Sequence, residues 1–552
     1  MKLVLYSGLL LLGASAACAQ APTWQTALSL GGGSYSNVSA VATDAAGNVY
    51  LAGWFSNSSL VLGSLTLTNA VTSGSNVGFS KDAFVAKWSP VTRSFVWALR
   101  AGGTTDNDNA STLTVSDGSV YVATTLTSAP AGLGGGPAAT GNYLTKLTSA
   151  GTLVWTQPVG GPAAALVASG SNLYAAGTFA GAASFGSSTF SSLGSNDTYV
   201  TKLVDAGATS SYAWTRRVGS AMVGTAGALA VSGSSVYVAG THYATTAAGS
   251  WPLTGNGAFV AKLADAGPAA DFTWVQPISW AAAAPADTGA GWLALAASGS
   301  NVYLAGAFSG LVSFGATSLT SLGYRDLVVA RLADAGPTAS FSWVRQLGSP
   351  GATSRALAVA VQGSSVYVAG DANKALSFGA TGSSSNPGGV LVAKLTDAST
   401  TSQPVWLQQA TANYTVACNT LALSGSTLYV GGIIGAGSTF GSVPFPTTGG
   451  PAAFVASLTD EVTLAATAPA ALADLALYPN PAQNTTTVRL PAGAGSNAAT
   501  LTLYDALGRP VRTSTAPTGQ EHAVDLSGLA PGVYALRVRV GEEAATRQLV
   551  VE

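Results

Sequence analysis

Along most of the chain, apolar residues alternate with small or polar ones in short runs, and the runs recur. SVYVAG, Ser365 to Gly370, has close copies whose tyrosines are Tyr50, Tyr121, Tyr174, Tyr237, Tyr303, Tyr367 and Tyr429. They stand about 63 residues apart on average, and a fixed period of that size marks a repeat architecture such as a propeller or solenoid. Each unit reads as four short strands. An apolar triplet such as Leu229 to Val231 turns through GSS into the VY-x-AG strand, and a longer excursion, often through SFG, leads to a third strand of the FVAK type. A turn, begun in several units by Asp205, Asp265 or Asp334, then leads to a fourth strand carrying Trp97, Trp155, Trp214, Trp274, Trp343 or Trp406. Gly, Asn, Asp and Ser at the turns supply the conformations that tight hairpins need.

The seventh third strand, Phe454 to Ser457, has no tryptophan strand after it. Trp24 in WQTALSLGG matches WVRQLGS from Trp343, so an N-terminal strand completes the last unit and the ends meet. Pairing the terminal strands removes the exposed edges that an open array would have to cap. Residues 22–460 therefore read as an all-β, seven-bladed β-propeller closed by an N-terminal strand. The repeated Tyr and Trp are expected to pack between blades. Lys87, Lys146, Lys202, Lys262, Arg331 and Lys394, which end the third strands, are expected to lay their stems over that packing and keep their heads in water.

The units N-V-Y-x-A-G, D-A-F-V-A-K and W-x-x-x-L-G-G resemble the bacterial SBBP-type β-propeller repeats, a likeness covering about four-fifths of the chain and informative about fold more than activity. After an Ala/Thr-rich linker, 461–474, composition shifts again. Residues 475–552 alternate like a small antiparallel sandwich. They resemble the C-terminal sorting domain of type IX secretion in Bacteroidota. The resemblance rests on Tyr478-Pro479-Asn480-Pro481, on LYDALGRPV with Asp505, Gly508 and Arg509, and on DLSGLAPGVYALRV with Gly532 and Tyr534. It implies recognition by the outer-membrane export machinery and release or surface attachment. Arg547 stands in the final strand where the family usually has lysine.

The N-terminus agrees with export. Lys2, an apolar core from Leu3 to Leu12 and the small residues up to Ala19 read as a signal peptide, 1–19, cut before Gln20. A lipidated Cys18 is disfavoured by Ser15 at a position where that signal prefers Leu. Cys418 is then left alone, without a disulfide partner. Beyond the signal no apolar run reaches the ~20 residues of a membrane helix. With only 8% charged residues and a net charge of −1, the chain has no means of capturing nucleic acid electrostatically.

Candidate chemistry is sparse. Every glutamate lies at Glu461 or later, so a paired-carboxylate hydrolase would have to use aspartates. Most aspartates recur with the repeat, as in Asp82, Asp197 and Asp326 or Asp205, Asp265, Asp334 and Asp397, and read as turn formers; Asp106, Asp108, Asp117, Asp287 and Asp371 do not recur. TTDNDNAS, Thr104 to Ser111, alternates Asp and Asn like a calcium loop but lacks that loop's glycine and terminal glutamate, and reads as a solvated polar loop. No metal or cofactor is expected. Cys418 reads as a buried thiol.

The residues that break the repeat are the candidate ligand contacts: His242 and Trp251 in GTHYATTAAGSW, and Trp280 and Trp292 in a loop between two strands, whose rings would stack on sugars. The reading is a noncatalytic secreted or cell-surface propeller, a partner of the type IX machinery through 475–552, that binds a polysaccharide, a protein or a surface. The alternatives are an extracellular polysaccharide hydrolase or lyase using aspartates or His242, and a structural surface protein without a specific ligand.

Overall fold

The computed structural model describes residues 21–460 and 475–552 apart from 32–34, 72–79, 105–106, 128–131, 137–138, 221–224, 243–245, 281–290, 377–387, 413–415, 444, 446–449, 491–497, 506–508 and 541–542. The signal-peptide and linker assignments, with Asp106, Asp287 and Gly508, lie outside the described residues. The chain divides into two units, Met1–Asp460 and Glu461–Glu552.

The first unit is all-β and of the propeller type, with one three-residue 3-10 turn among its described residues. Its strands fall into consecutive antiparallel sets of four. The first set is Ser36–Thr43, Val49–Phe55, Asp82–Ser89 and Ser94–Ala101; the fourth is Thr225–Ser232, Ser235–His242, Gly257–Asp265 and Ala270–Trp280. The sixth runs Ser354–Gln362, Ser365–Ala372, Gly389–Asp397 and Ser402–Gln409. In the seventh, Val416–Ser424, Thr427–Ile434 and Ala452–Thr459 are joined by Trp24–Leu30 from the other end of the chain, antiparallel to Ala452–Thr459.

The register corrects one detail. Trp343 pairs with Arg331, whereas the residue facing the corresponding Ser457 is Thr26, which shares a 2.7 Å hydroxyl contact with it. Trp24 sits two positions earlier, opposite Leu458, and packs edge-on against Phe440 at 5.0 Å. Its WQTALSL text therefore aligns with the tryptophan strands only when shifted by two residues.

Two features of the repeated text follow from this geometry. In most sets the first two strands meet in a two-residue turn, as at Gly363-Ser364 between Gln362 and Ser365; glycine takes φ +58° there, the positive value that the tight turn requires. The last glycine of VY-x-AG faces a bulge in the first strand. A Cβ on Gly370 would lie 1.8 Å from the carbonyl oxygen of Arg355, so the motif ends in the one residue without a Cβ.

Sheet edges are covered by small hairpins from the following unit. Leu311–Phe314 pairs with the end of Ala270–Trp280, and Thr246–Ala248 pairs with the end of Ser210–Ser220. The SFG phenylalanines Phe185 and Phe314 are 1% exposed, so both excursions bury an aromatic ring, and that of Phe314 does so as it caps an edge strand.

The second unit holds two antiparallel sheets. One contains Ala476–Tyr478, Thr485–Arg489 and Glu521–Asp525; the other is ordered Pro510–Pro517, Ala498–Tyr504, Gly532–Val540, Glu543–Val551. Their facing aliphatic residues, among them Val488, Leu501, Leu536, Val538 and Leu549, make its separate core.

Candidate functional site

The repeated polar residues converge on a clasp between neighbouring sheets. Asp265 ends the third strand of the fourth sheet, and its N–H donates to Ser234 O at the tip of that sheet's first hairpin, which fixes the carboxylate. Three side chains of the third sheet then reach it. Tyr174 Oη donates to Oδ2 at 2.6 Å, Lys202 Nζ to Oδ2 at 2.7 Å and Trp214 Nε1 to Oδ1 at 3.0 Å, while Gly267 N, in Asp265's own turn, also donates to Oδ1. The same set recurs with Tyr121, Lys146 and Trp155 on Asp205, with Tyr237, Lys262 and Trp274 on Asp334, and with Tyr367, Lys394 and Trp406 on Asp460. Tyr303 and Trp343 donate likewise to Asp397, with which Arg331 forms an ion pair at 3.2 Å.

These cations are therefore not held out in water: the Lys202 and Asp265 side chains are each 5% exposed. The tyrosine and tryptophan rings do lie between sheets as expected, and their polar ends determine the contact. Burial pushes Asp205, Asp265, Asp334 and Asp460 up, but the ammonium, phenol and indole donors outweigh it and hold each carboxyl below its usual range. The tyrosines move up, first through burial and then through the carboxylate they serve.

Two junctions depart from this pattern. Between the first and second sheets Ser149 replaces the aspartate, and its carbonyl accepts from Lys87 Nζ and Trp97 Nε1. Between the seventh and first, Tyr429 meets Trp88 edge-on at 6.4 Å, and Ser457 and Pro90 stand in the lysine and aspartate places. Direct bonds join these two sheets at their first strands, from Val41 N to Thr420 Oγ1 at 3.0 Å and from Thr43 Oγ1 to Leu423 O at 2.6 Å.

The first strands of all seven sheets line a cavity of ≈ 210 Å³. Bulge residues Ser39, Ser111 and Asn419 are among its polar groups, and no lining residue among the described ones is ionisable.

The residues singled out by sequence are not brought together on one surface. Trp251 opens an edge-covering strand and is 38% exposed. Trp280 is 9% exposed, paired with Val312 at the end of its strand and packed in the core with Ile278 and Phe308, so no exposed loop carries it. His242 ends Ser235–His242 at 2% exposure, its ring 6.4 Å from that of Phe259. The side chain of Trp292 lies outside the described residues. Asp108, expected in a solvated loop, is completely buried. Asp371, 5% exposed, forms a two-bonded pair with Arg355 at 3.0 Å; burial pushes its carboxyl up although Arg355 opposes the shift. The Cys418 thiol is buried and pushed up, mainly by burial and further by Asp371.

In the second unit the motif residues act as clamps. Asn480 donates from Nδ2 to Gln548 O at 2.7 Å and accepts at Oδ1 from Val550 N at 2.8 Å, which ties Tyr478-Pro479-Asn480-Pro481 to the last strand. Both X–Pro bonds of that motif are cis. Asp505 accepts from Arg509 N and Nε across the LYDALGRPV turn, and Asp525 accepts from Ser527 N and Oγ. Tyr534 Oη donates to Ala530 O, and Arg547 Nε to Leu475 O at 3.2 Å. Sequence reading missed Asn484, whose carbonyl accepts from Leu526 N; a backbone role leaves no signature in residue type.

These clamps belong to a sorting domain of the type IX secretion system: residues 476–552 match the family described as "Secretion system C-terminal sorting domain". The chain is thus a type IX secreted protein with a β-propeller fold, directed to the cell surface or the extracellular space. Among the described residues no helix is long and apolar enough to cross a membrane. No curated protein matches the chain. Among solved structures, BamB from Moraxella catarrhalis is similar at 11% identity over 80% of this chain and 99% of that one, with TM-score 0.36. Quinohemoprotein alcohol dehydrogenase from Comamonas testosteroni is 11% identical over 78% and 76%, TM-score 0.34, and Trypanosoma rangeli sialidase 9% over 79% and 83%, TM-score 0.31.

Proposed function

We propose that the chain is a noncatalytic surface or secreted protein whose seven sheets are the blades of a closed propeller, with SBBP-type repeats and a Bacteroidota origin. Its propeller binds a polysaccharide, a protein or a surface through nonrepeating connections, with Trp251 as its solvent-facing aromatic contact. The observation that carries this reading is the clasp: Asp205, Asp265, Asp334 and Asp460, four of the recurring carboxylates, are each committed to a cation, a phenol and an indole from the neighbouring sheet. A carboxylate held in that way, below its usual pKa range, is poorly placed to deliver a proton at neutral pH.

Full-length protein incubated with a panel of insoluble polysaccharides separates the classes. Depletion from solution without released sugar is the expected result, and Trp251→Ala should weaken it about tenfold, the scale of one lost stacking contact. Released sugar would establish an enzyme instead, and neither signal would leave a protein partner or scaffold role. The export assignment has its own check. Removing Leu475 to Glu552 should retain the propeller inside the cell envelope, and wild-type levels outside the cell would refute it.

A further inference from the structure

Two carboxylates lie buried side by side between the first and second sheets. Asp82 opens Asp82–Ser89 and Asp108 precedes Asn109–Ser116; both are 0% exposed. A Cβ placed on Gly102, which has φ +144°, would lie 2.4 Å from Asp82 Oδ1 and 2.8 Å from Asp108 Oδ2. The two oxygens thus face one small space that the glycine leaves open. Asp82 Oδ2 accepts from Ala70 N and Arg100 Nη1, and Asp108 accepts from Gly103 N at Oδ2 and Thr127 N and Oγ1 at Oδ1. Asp82 Oδ1, fully buried, accepts no hydrogen bond among the described residues. The Lys81 ammonium lies over the Trp54 ring at 4.2 Å. Two carboxylates so close together and so fully buried are a costly arrangement, which a cation between them would relieve.

The chain's own repeats show what the second carboxylate changes. The bridges Lys81 to Asn107 and Arg325 to Thr353 align Asp108 with Ser354. There Asp326 takes the place of Asp82, and both its oxygens are filled, by Leu322 N, Gly323 N and Gln346 Nε2. Ser354 Oγ accepts from Leu327 N at 3.1 Å, as Ser36 Oγ accepts from Ala453 N at 3.0 Å between the seventh and first sheets. A serine is therefore enough for the fold at this position, and the aspartate adds a charge the fold does not need.

We propose that Asp82 and Asp108 bind one calcium ion, with Asp82 Oδ1 and Asp108 Oδ2 as its side-chain ligands and backbone carbonyls and water completing the shell. Calcium suits a site of two carboxylates at strand ends, because it takes oxygen ligands in flexible geometry where magnesium demands a near-ideal octahedron. The site lies apart from the nonrepeating aromatic contacts and does not depend on what the propeller binds.

Titrating calcium chloride calorimetrically into chelator-treated full-length protein at neutral pH tests the site. One ion per chain with Kd on the order of 10⁻⁴ M is expected, as is a rise in thermal midpoint with calcium. Asp108→Ser, which installs the residue the chain uses at Ser354, should keep the midpoint measured in chelator and weaken binding at least tenfold. Gly102→Ala, which fills the space between the oxygens without altering charge, should weaken it similarly. Absence of binding to the wild type, or equal affinity in Asp108→Ser, overturns the proposal. So does a wild type indifferent to calcium whose stability instead falls as pH rises from 5 to 8, an effect lost in Asp108→Ser, because a proton shared by the two carboxylates would then be the occupant.

Discussion

Asp334→Ala should lower the stability of the repeat unit by about 3–5 kcal/mol, the usual cost of stranding one partner of a buried ion pair. The alanine removes the acceptor of Lys262 at 2.6 Å, Tyr237 at 2.7 Å and Trp274 at 3.0 Å, and it also frees Gly336 N in the same turn. The Lys262 side chain, 11% exposed, would be left buried without its partner. Tyr237→Phe removes one donor and leaves the ion pair, so its expected cost is only about 1 kcal/mol. Urea unfolding of the full chain, followed by the fluorescence of its tryptophans, gives both values. A loss below about 1 kcal/mol for Asp334→Ala would mean that the clasp is ornamental and that the sheets are held by apolar packing alone.

The same carboxylate should make the difference between wild type and Asp334→Asn depend on acidity. In the folded chain Asp334 is held below the usual carboxylate range because, against the effect of burial, its donors from Lys262, Tyr237, Gly336 and Trp274 favour the ionised form. A depressed folded pKa gives stability that is complete above the unfolded value of about 4 and is lost as pH falls through the folded one. The advantage of wild type over Asp334→Asn should therefore be constant from neutral pH to about 5 and shrink below about 4, by at most ~1.4 kcal/mol per pH unit. Using the difference matters, because Asp82 and Asp371 are pushed up by burial and favour the folded state in the opposite direction as pH falls. An advantage that stayed constant down to pH 2 would show that Asp334 is not ionised in the clasp.

The strand order, the unit length and the joining of the N-terminal strand to the last unit were all legible in the sequence, because repetition multiplies a weak signal sevenfold and strand alternation is local. The clasp was half legible. Its residues stood out as Tyr, Lys, Trp and Asp at fixed places, but their pairing runs between units, from Tyr174 to Asp265 for example, and no local pattern says that a turn aspartate answers to the preceding unit. Trp280 illustrates the opposite failure. Out of register it looked like a loop aromatic, whereas the hairpin carrying Val312 folds back over it, and only the three-dimensional path of that excursion reveals the cover. Asp108 was misplaced in solvent because its neighbours in TTDNDNAS are polar; burial there comes from Gly102, Gly103 and Thr127 closing around the carboxylate.

The junction without a clasp bears on how the chain acquires its shape. Each tyrosine-to-aspartate contact between sheets spans 84 to 97 residues, so one unit can secure the next as soon as both exist. The contact from Val41 to Thr420 spans 379, and the chain entropy lost in closing so long a segment must be met by apolar packing and by hydrogen bonds such as Val41 N to Thr420 Oγ1, Asn419 Nδ2 to Val38 O and Ala453 N to Ser36 Oγ. Contacts between neighbouring units thus close short segments of chain, whereas those between the last and first sheets close nearly the whole repeat region at greater entropic cost.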